Sequence, residues 1–234
     1  MRLLRVKNPR NDVKIIITMR LNDHPQTKNE ELVNSLTHGA GLFLSIIGLI
    51  ALLYKSIGFD EFSHLVAVSI FGGSLIVLYT ASTLYHSFHK PHVKLKLRVF
   101  DHAAIYVLIA GSYMPFLFVN LKHSGGLMFA LIMGAMAAGG IIFKLFFTGR
   151  FETFSTSLYV FMAWLFIFFY GPAVEHIQTG GLILISLGGL FYMSGLIFYK
   201  WKTLPFSHSI WHLFVLAGSI LHYFAVFFYA IPGF

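Results

Sequence analysis

The sequence contains no cysteine, and only nine of its 234 residues are acidic. The lack of cysteine excludes disulfide bonds and thiolate metal sites, so any metal site would have to use His, Asp and Glu side chains. Charged residues make up 11% of the chain, which is too few to cover the surface of a soluble globular protein of this length. The composition therefore argues against a soluble protein.

Apolar residues, by contrast, form 57% of the sequence and include 26 phenylalanines. They are concentrated in seven stretches, each close to the roughly 20 residues of helix that cross a bilayer. The stretches are 36–54, 65–85, 99–121, 124–143, 153–174, 177–199 and 205–231. The sequence therefore predicts an all-α, polytopic membrane protein. We expect residues 1–26 to form an amino-terminal segment and residues 27–234 to form one bundle of seven transmembrane helices.

The basic residues are distributed unevenly between the two sides of the predicted bundle. The formal net charge is +8, and all but two of the 17 Lys and Arg residues lie before span 1 or in the loops after spans 2, 4 and 6. Because basic loops stay in the cytoplasm, we predict a cytoplasmic amino terminus and a carboxyl terminus outside. Anionic headgroups at the cytoplasmic face then explain the positive charge, and nucleic acid is not an expected partner.

The helix of span 1 is expected to begin before its apolar stretch. Thr27 and Glu30 have the spacing of a capping box, which predicts a helix start near Lys28. The polar residues that follow Glu30 then lie on a helix rather than in a loop.

Polar residues inside or at the ends of apolar spans are costly and mark candidate functional positions. Spacings of three or four residues place side chains on one helix face. Four groups fit this description: Glu31, Asn34 and His38 in span 1; Ser82 and His86 in span 2; Asp101 and His102 in span 3; and His208 and His212 in span 7. The predicted topology brings all four groups to the cytoplasmic end, where they can form one site.

Three of these histidines suggest a zinc site. His86, His208 and His212 would give a zinc ion three imidazole ligands and leave a fourth position for water or substrate. Asp101 could hydrogen-bond that water or accept its proton. The alternative is that the histidines only pack or face the interface, since a His pair four residues apart often arises by chance. His102 lies about 100° around the helix from Asp101, so the two cannot face one metal equally well.

The other polar residues each have two interpretations. Ser82 could hydrogen-bond its own helix backbone or contribute to the site. Glu31, Asn34 and His38 could satisfy buried polar groups and brace the helices. We favour a role in supporting the metal ligands over direct ligation for these three residues.

The motifs together resemble the signature of a known family. They are Glu31-x-x-Asn34-x-x-x-His38, Ser82-x-x-x-His86, the Phe100-Asp101-His102 run that continues to Tyr106, Ala110-Gly111-Ser112-Tyr113, and His208-x-x-x-His212. From about Asn29 to the end, the chain resembles the hemolysin III family, the bacterial branch of the progestin and adiponectin receptor superfamily. The resemblance implies a seven-helix fold with a cytoplasmic amino terminus and a zinc ion held by the three histidines. It also implies that Asp101 and Ser82 lie beside the water bound to the zinc.

The superfamily is also similar to alkaline ceramidases, which implies a zinc-dependent hydrolase of lipid acyl amides. Zinc would lower the pKa of its water toward 7 and stabilise the developing oxyanion. Asp101 would act as general base, and Ser82 would orient Asp101 or the water. A buried site would select a long-chain membrane lipid or fatty acid entering from the bilayer. The longer extramembrane segments of the eukaryotic receptors are missing, so a protein hormone is not an expected ligand.

Two other classes of function stay open. The family name implies cytolysis by pore formation. A secreted pore-former should carry a signal peptide or long amphipathic segments, and neither is evident, because no short apolar region follows the basic amino-terminal residues. The other alternative is a non-enzymatic sensor of membrane state, or receptor, in which the zinc is purely structural.

Overall fold

The computed structural model describes residues 26–58 and 62–231, and the regular structure in these ranges is helical. Seven helices in this part of the chain are long and apolar enough to cross a membrane, which confirms the predicted number of spans. Spans 1 to 7 are Lys28–Ile57, Phe62–Ser87, Pro91–Asn120, Gly126–Phe147, Glu152–His176, Thr179–Lys200 and Ser207–Ala230. The chain is therefore an all-α, multi-pass membrane protein. Nearly all of the predicted amino-terminal segment, residues 1–25, lies outside the described residues.

Span 1 begins at the predicted capping box. Glu30 N donates to Thr27 Oγ1 over 3.2 Å, and Thr27 N donates to Glu30 Oε2 over 2.8 Å. The other carboxylate oxygen, Glu30 Oε1, accepts a 2.8 Å bond from the backbone N–H of Phe206. Because Phe206 directly precedes span 7, this bond ties the start of span 7 to the start of span 1.

Three spans change their helical geometry before they end. Span 3 contains Pro115 and continues as a π-helical turn over Phe116–Asn120, while span 7 ends in a second π-helical turn, Val226–Ala230. Span 5 passes through a 3-10 turn at Leu165–Phe169. Proline lacks the N–H that an α-helix needs at that position, so a change in hydrogen-bond register next to Pro115 is expected.

The spans pack around two apolar clusters. Span 2 lies between spans 1 and 3, and span 7 packs against spans 1 and 6. The larger cluster joins spans 1, 2, 3 and 7 and includes Leu52, Phe71 and Val215. The smaller cluster joins spans 3, 4 and 5 around Tyr106 and Met133. Many large apolar side chains on the outside are exposed, as expected for helices whose outer faces contact lipid.

The polar groups selected from the sequence lie at the end of the bundle where spans 1, 3, 5 and 7 begin. Of the 11 Lys and Arg residues in the described ranges, nine are near this end, so we call it the cation-rich end. The packing of spans 1, 2, 3 and 7 against one another brings their polar residues together there. The assignment of this end to the cytoplasm stays a prediction.

Candidate metal centre

Three histidines from spans 2 and 7 meet at the cation-rich end. One ring nitrogen from each of His86, His208 and His212 lies within 4.8 Å of the other two. His86 and His212 keep only 1% and 2% of their surface accessible, and His208 is partly buried. His208 and His212 are one turn apart and project from the same face of span 7, opposite the last turn of span 2. The structure thus brings together the three histidines that the sequence suggested as ligands.

The nitrogens that converge suit a metal ion. Nε2 of His86 and Nε2 of His208 are buried and have no hydrogen-bond partner within the described ranges. A buried polar atom without a partner costs about 1–3 kcal/mol, so two in one place favour a bound cation. Imidazole nitrogens this close together could share one metal ion, which would take the place of the missing hydrogen-bond partners.

Glu31 fixes the orientation of His86. Glu31 Oε2 lies 2.7 Å from His86 Nδ1 and accepts its hydrogen, which leaves the lone pair on Nε2 facing the other histidines. The second carboxylate oxygen, Oε1, accepts a 2.7 Å bond from Lys94 Nζ. Lys94 also donates to the backbone oxygen of Tyr85 over 3.2 Å. A carboxylate that orients the far nitrogen of a ligand histidine is a common feature of metal sites.

Asn34 orients His212, as Glu31 orients His86. The backbone oxygen of Asn34 accepts a 3.4 Å bond from His212 Nδ1. Its side chain is held on both sides, because Oδ1 accepts from Ser209 Oγ at 2.5 Å and Nδ2 donates to Gln26 Oε1 at 2.9 Å. With Nδ1 protonated, His212 presents the lone pair of Nε2. With Nδ1 protonated, both His86 and His212 can present an unprotonated Nε2 to a metal ion.

The third polar residue of span 1, His38, makes a different contact. Its ring stacks on His212 with ring centroids 3.5 Å apart and planes 9° apart, and Tyr79 packs edge-on against it at 5.0 Å. Neither of its buried ring nitrogens has a hydrogen bond of normal geometry in the described part of the chain. His38 thus contacts a candidate ligand by stacking, whereas Glu31 and Asn34 do so by hydrogen bonds.

Asp101 and Ser82 form a pair beside the histidines. Asp101 keeps 8% of its surface accessible and Ser82 keeps 1%. The Ser82 hydroxyl lies near the Asp101 carboxylate, and Asp101 lies close enough to His86 for the two side chains to interact. The site therefore combines three imidazoles with two buried carboxylates, those of Asp101 and Glu31.

The comparison with known proteins identifies the family of the chain. The profile of the family described as "Haemolysin-III related" matches residues 26–223, which include the described site residues. The chain belongs to the hemolysin III family. It is 43% identical to Hemolysin-3 of Bacillus cereus over 216 residues, which cover 92% of this chain and 99% of that protein.

Two further proteins are similar to this chain. The chain is 44% identical to the Hemolysin-3 homolog of Bacillus subtilis (strain 168) over 205 residues, covering 88% of this chain and 96% of the homolog. It is also 32% identical to the monocyte to macrophage differentiation factor of Homo sapiens over 208 residues, covering 84% and 83% of the two chains. The match to a mammalian protein agrees with the wider superfamily that the motifs suggested.

Sequence reasoning missed two lysines in this hemolysin III protein. Lys94 reaches Glu31 from the start of span 3, and Lys144 is completely buried in the last turns of span 4. Both had been counted only as loop cations. The signal for Lys144 was its place inside an apolar run followed by Glu152, an acidic residue at the start of the next span.

Proposed function

We propose that this hemolysin III protein is a zinc-dependent hydrolase that cleaves the acyl amide bond of a membrane lipid, in the manner of a ceramidase. The observation that supports it best is the convergence of His86, His208 and His212 beside the buried Asp101 and Ser82 pair. Three neutral imidazoles would hold the ion and leave a position for substrate. The bound metal would supply Lewis acidity, polarising the acyl carbonyl and making a water molecule more acidic.

Residues of the protein would then carry out the proton transfers. The Asp101 carboxylate takes a proton from the attacking water and passes it to the nitrogen of the departing amine. A hydrogen bond from the neighbouring Ser82 hydroxyl would fix one carboxylate oxygen, so that the other oxygen can face the reacting groups. Burial of this pair keeps bulk water away from the proton transfer.

Span 1 would support the metal ligands. Glu31 holds His86 and Asn34 holds His212 through their Nδ1 atoms, and His38 stacks on His212. In this role the three residues keep the ligand rings in place without binding the metal themselves. Span 1 would thus set the affinity for the ion, while span 3 supplies the general base.

The proposed substrate is a long-chain lipid or fatty acid derivative that reaches the site from the bilayer. The metal centre lies at the end of an apolar bundle, so the polar acyl linkage would sit near the membrane surface and the chain would extend into the apolar region. With the predicted orientation, this end faces the cytoplasm, where the surrounding cations would also contact anionic headgroups.

The name Hemolysin-3, carried by the Bacillus cereus relative, favours pore formation as a second candidate function. If the protein forms pores, it should cause liposomes to release an enclosed dye, and the Asp101→Asn variant should do so equally. A sensor with structural zinc, the third possibility, should give neither leakage nor product.

Experiments on the purified protein can distinguish these three functions. We expect about one zinc per chain, and a co-purifying fatty acid or lipid detectable by mass spectrometry of the extract. Wild type should slowly hydrolyse members of a panel of ceramides, acyl amides and phospholipids. Asp101→Asn should keep its zinc but lose about 10²-fold or more of the turnover, the scale expected for a lost general base. Identical behaviour of wild type and Asp101→Asn across the panel would exclude the hydrolase.

A further inference from the structure

Lys94, at the start of span 3, contacts two residues that touch the candidate ligand His86, and it has no part in the proposed mechanism. Its Nζ donates to Glu31 Oε1 at 2.7 Å and to the backbone oxygen of Tyr85 at 3.2 Å. The ammonium also lies 4.6 Å from the centre of the Tyr85 ring. One side chain thus joins the beginnings of spans 1 and 3 to the end of span 2.

The contact with Tyr85 fixes the position of the ammonium. Tyr85 is in the last turn of span 2, where backbone oxygens lack an N–H partner within the helix. Lys94 reaches this oxygen from the first turns of span 3, because only residues 88–90 separate the two helices. The Tyr85 ring in turn packs against the His86 ring, with ring centroids 4.7 Å apart. The ammonium is therefore anchored by span 2 as well as by Glu31.

The contact with Glu31 connects this anchor to the metal centre. Lys94 Nζ and His86 Nδ1 each lie 2.7 Å from a different oxygen of the Glu31 carboxylate. The last torsion of a glutamate side chain is broad when nothing restrains it. With both oxygens engaged, the carboxylate is held in one orientation, and that orientation sets the direction of the His86 ring.

We propose that Lys94 is a positioning residue for the metal centre, which holds Glu31 in the orientation that directs Nε2 of His86 at the ion. This role rests on the proposed function, because it places a metal ion at the three histidines. Groups that fix a ligand before the ion arrives raise the affinity of the site. The effect of Lys94 on the ion passes through Glu31.

Charge alone would have the opposite effect on zinc binding. Lys94 is a cation near the site of a divalent cation, so their repulsion weakens binding and removal of the ammonium should strengthen it. If Lys94 only stabilises the fold, its removal should lower the melting temperature of the metal-free protein and leave the zinc affinity unchanged. Weaker zinc binding after the loss of a nearby cation is therefore specific to the positioning role.

The test measures the zinc affinity of the full-length protein in detergent by competition with a chromophoric chelator. We expect Lys94→Met, which removes the ammonium and keeps most of the side-chain length, to weaken zinc binding about 10-fold, as for other partners of ligand residues. Lys94→Arg, which can donate to both oxygens, should restore the affinity to within about 3-fold of wild type. The control Lys96→Met removes the same charge from an exposed position on span 3, and screening by solvent should keep it within about 2-fold of wild type.

A double-mutant cycle with Glu31→Gln tests the route by which Lys94 acts. If the effect passes through Glu31, adding Lys94→Met to Glu31→Gln should change the zinc affinity by less than about 2-fold. An equal loss from Lys94→Met in both backgrounds would overturn the proposal. Unchanged or tighter zinc binding in Lys94→Met would overturn it too, as would equal weakening by Lys94→Met and Lys96→Met.

Two further measurements keep the outcomes distinct. If Lys94→Met does not fold, Lys94→Gln replaces it and should weaken zinc binding about 3-fold or more, and unchanged binding there would overturn the proposal. Turnover of the lipid panel is measured separately on wild type. Absent turnover with the Lys94 pattern intact would contradict the hydrolase and leave the positioning role standing. A wild-type protein that binds no zinc would overturn both.

Discussion

Glu31 Oε2 lies 2.7 Å from His86 Nδ1, although the two residues are 55 positions apart in the chain. This contact joins span 1, which contributes none of the three converging histidines, to one of the candidate ligands. Lys94 from span 3 contacts the other oxygen of the same carboxylate at 2.7 Å. The ring of His86 is therefore held in place by two neighbouring spans.

This contact predicts that Glu31→Gln weakens metal binding. The amide of glutamine carries no charge and is a poorer acceptor for the Nδ1 hydrogen, so His86 becomes less basic and less firmly oriented. Loss of such a partner typically lowers metal affinity about 10- to 100-fold. Competition of the purified protein with a chromophoric zinc chelator measures the change.

The matched control is Glu175→Gln, which makes the same substitution at an exposed glutamate near the end of span 5. It should leave zinc affinity at the wild-type value. Equal affinity in Glu31→Gln and Glu175→Gln would mean that the carboxylate near His86 does not support a metal ligand.

Much of the fold could be predicted because each span is a long apolar run. The number of helices, the capping box at Thr27 and the meeting of four polar groups at one end all follow from periodicity and from the alternating direction of the spans. Residues four apart on a helix must share a face, so His208 and His212 had to point the same way. These are local properties that a sequence carries directly.

The contacts between spans could not be predicted in the same way, because the sequence does not give the rotation of each helix about its axis. Lys144 looked like a loop cation, yet its side chain turns inward to Glu152 and His102. His38 shares a face with Asn34, yet it stacks on His212 instead of hydrogen-bonding it. Both outcomes depend on the relative rotation and depth of packed helices.

Removal of a ligand histidine should lower both the metal content and the stability. His212 is almost fully buried between spans 1 and 2, so His212→Ala removes a candidate ligand and the stacking partner of His38. We expect zinc to fall from about one per chain to a small fraction and the melting temperature to drop, because bound metal stabilises only the folded chain. His222→Ala, deeper in span 7, is the comparison and should keep its zinc. Full zinc occupancy in His212→Ala would rule out its assignment as a ligand.

The close contact between spans 6 and 7 requires glycine at position 188, because there is no room for a side chain there. A Cβ added there would lie 2.3 Å from Cδ2 of His222 and 3.1 Å from the backbone oxygen of Gly218, whereas a Cβ on Gly189 would meet nothing within 4 Å. Gly188→Ala should therefore destabilise the protein by about 1–3 kcal/mol, the usual cost of overpacking. Gly189→Ala, the matched control, should be neutral or slightly stabilising. Thermal unfolding in detergent compares the two, and equal melting temperatures would contradict this packing.

The side of the membrane on which the metal centre lies follows from the orientation of the bundle. The described site residues are all at the cation-rich end, and within the described ranges Lys55 and Lys122 are the Lys and Arg residues at the opposite end. Lys55 is not a free surface charge, because its ammonium donates to the backbone oxygens of Phe227 and Ile231 where span 7 ends. This contact leaves the opposite end with even less positive charge available to hold it in the cytoplasm.

We therefore predict that a topology reporter fused after Phe234 reads extracytoplasmic. The same reporter inserted in the loop that contains Lys202 should read cytoplasmic, since that loop joins spans 6 and 7 at the cation-rich end. Alkaline phosphatase, active only outside the cytoplasm, and green fluorescent protein, fluorescent mainly inside it, give opposite signals and serve as mutual controls. A cytoplasmic signal after Phe234 together with an external signal at the Lys202 loop would show that the bundle has the opposite orientation in the membrane. The metal centre would then face outward, and anionic headgroups of the inner leaflet could not be its neighbours.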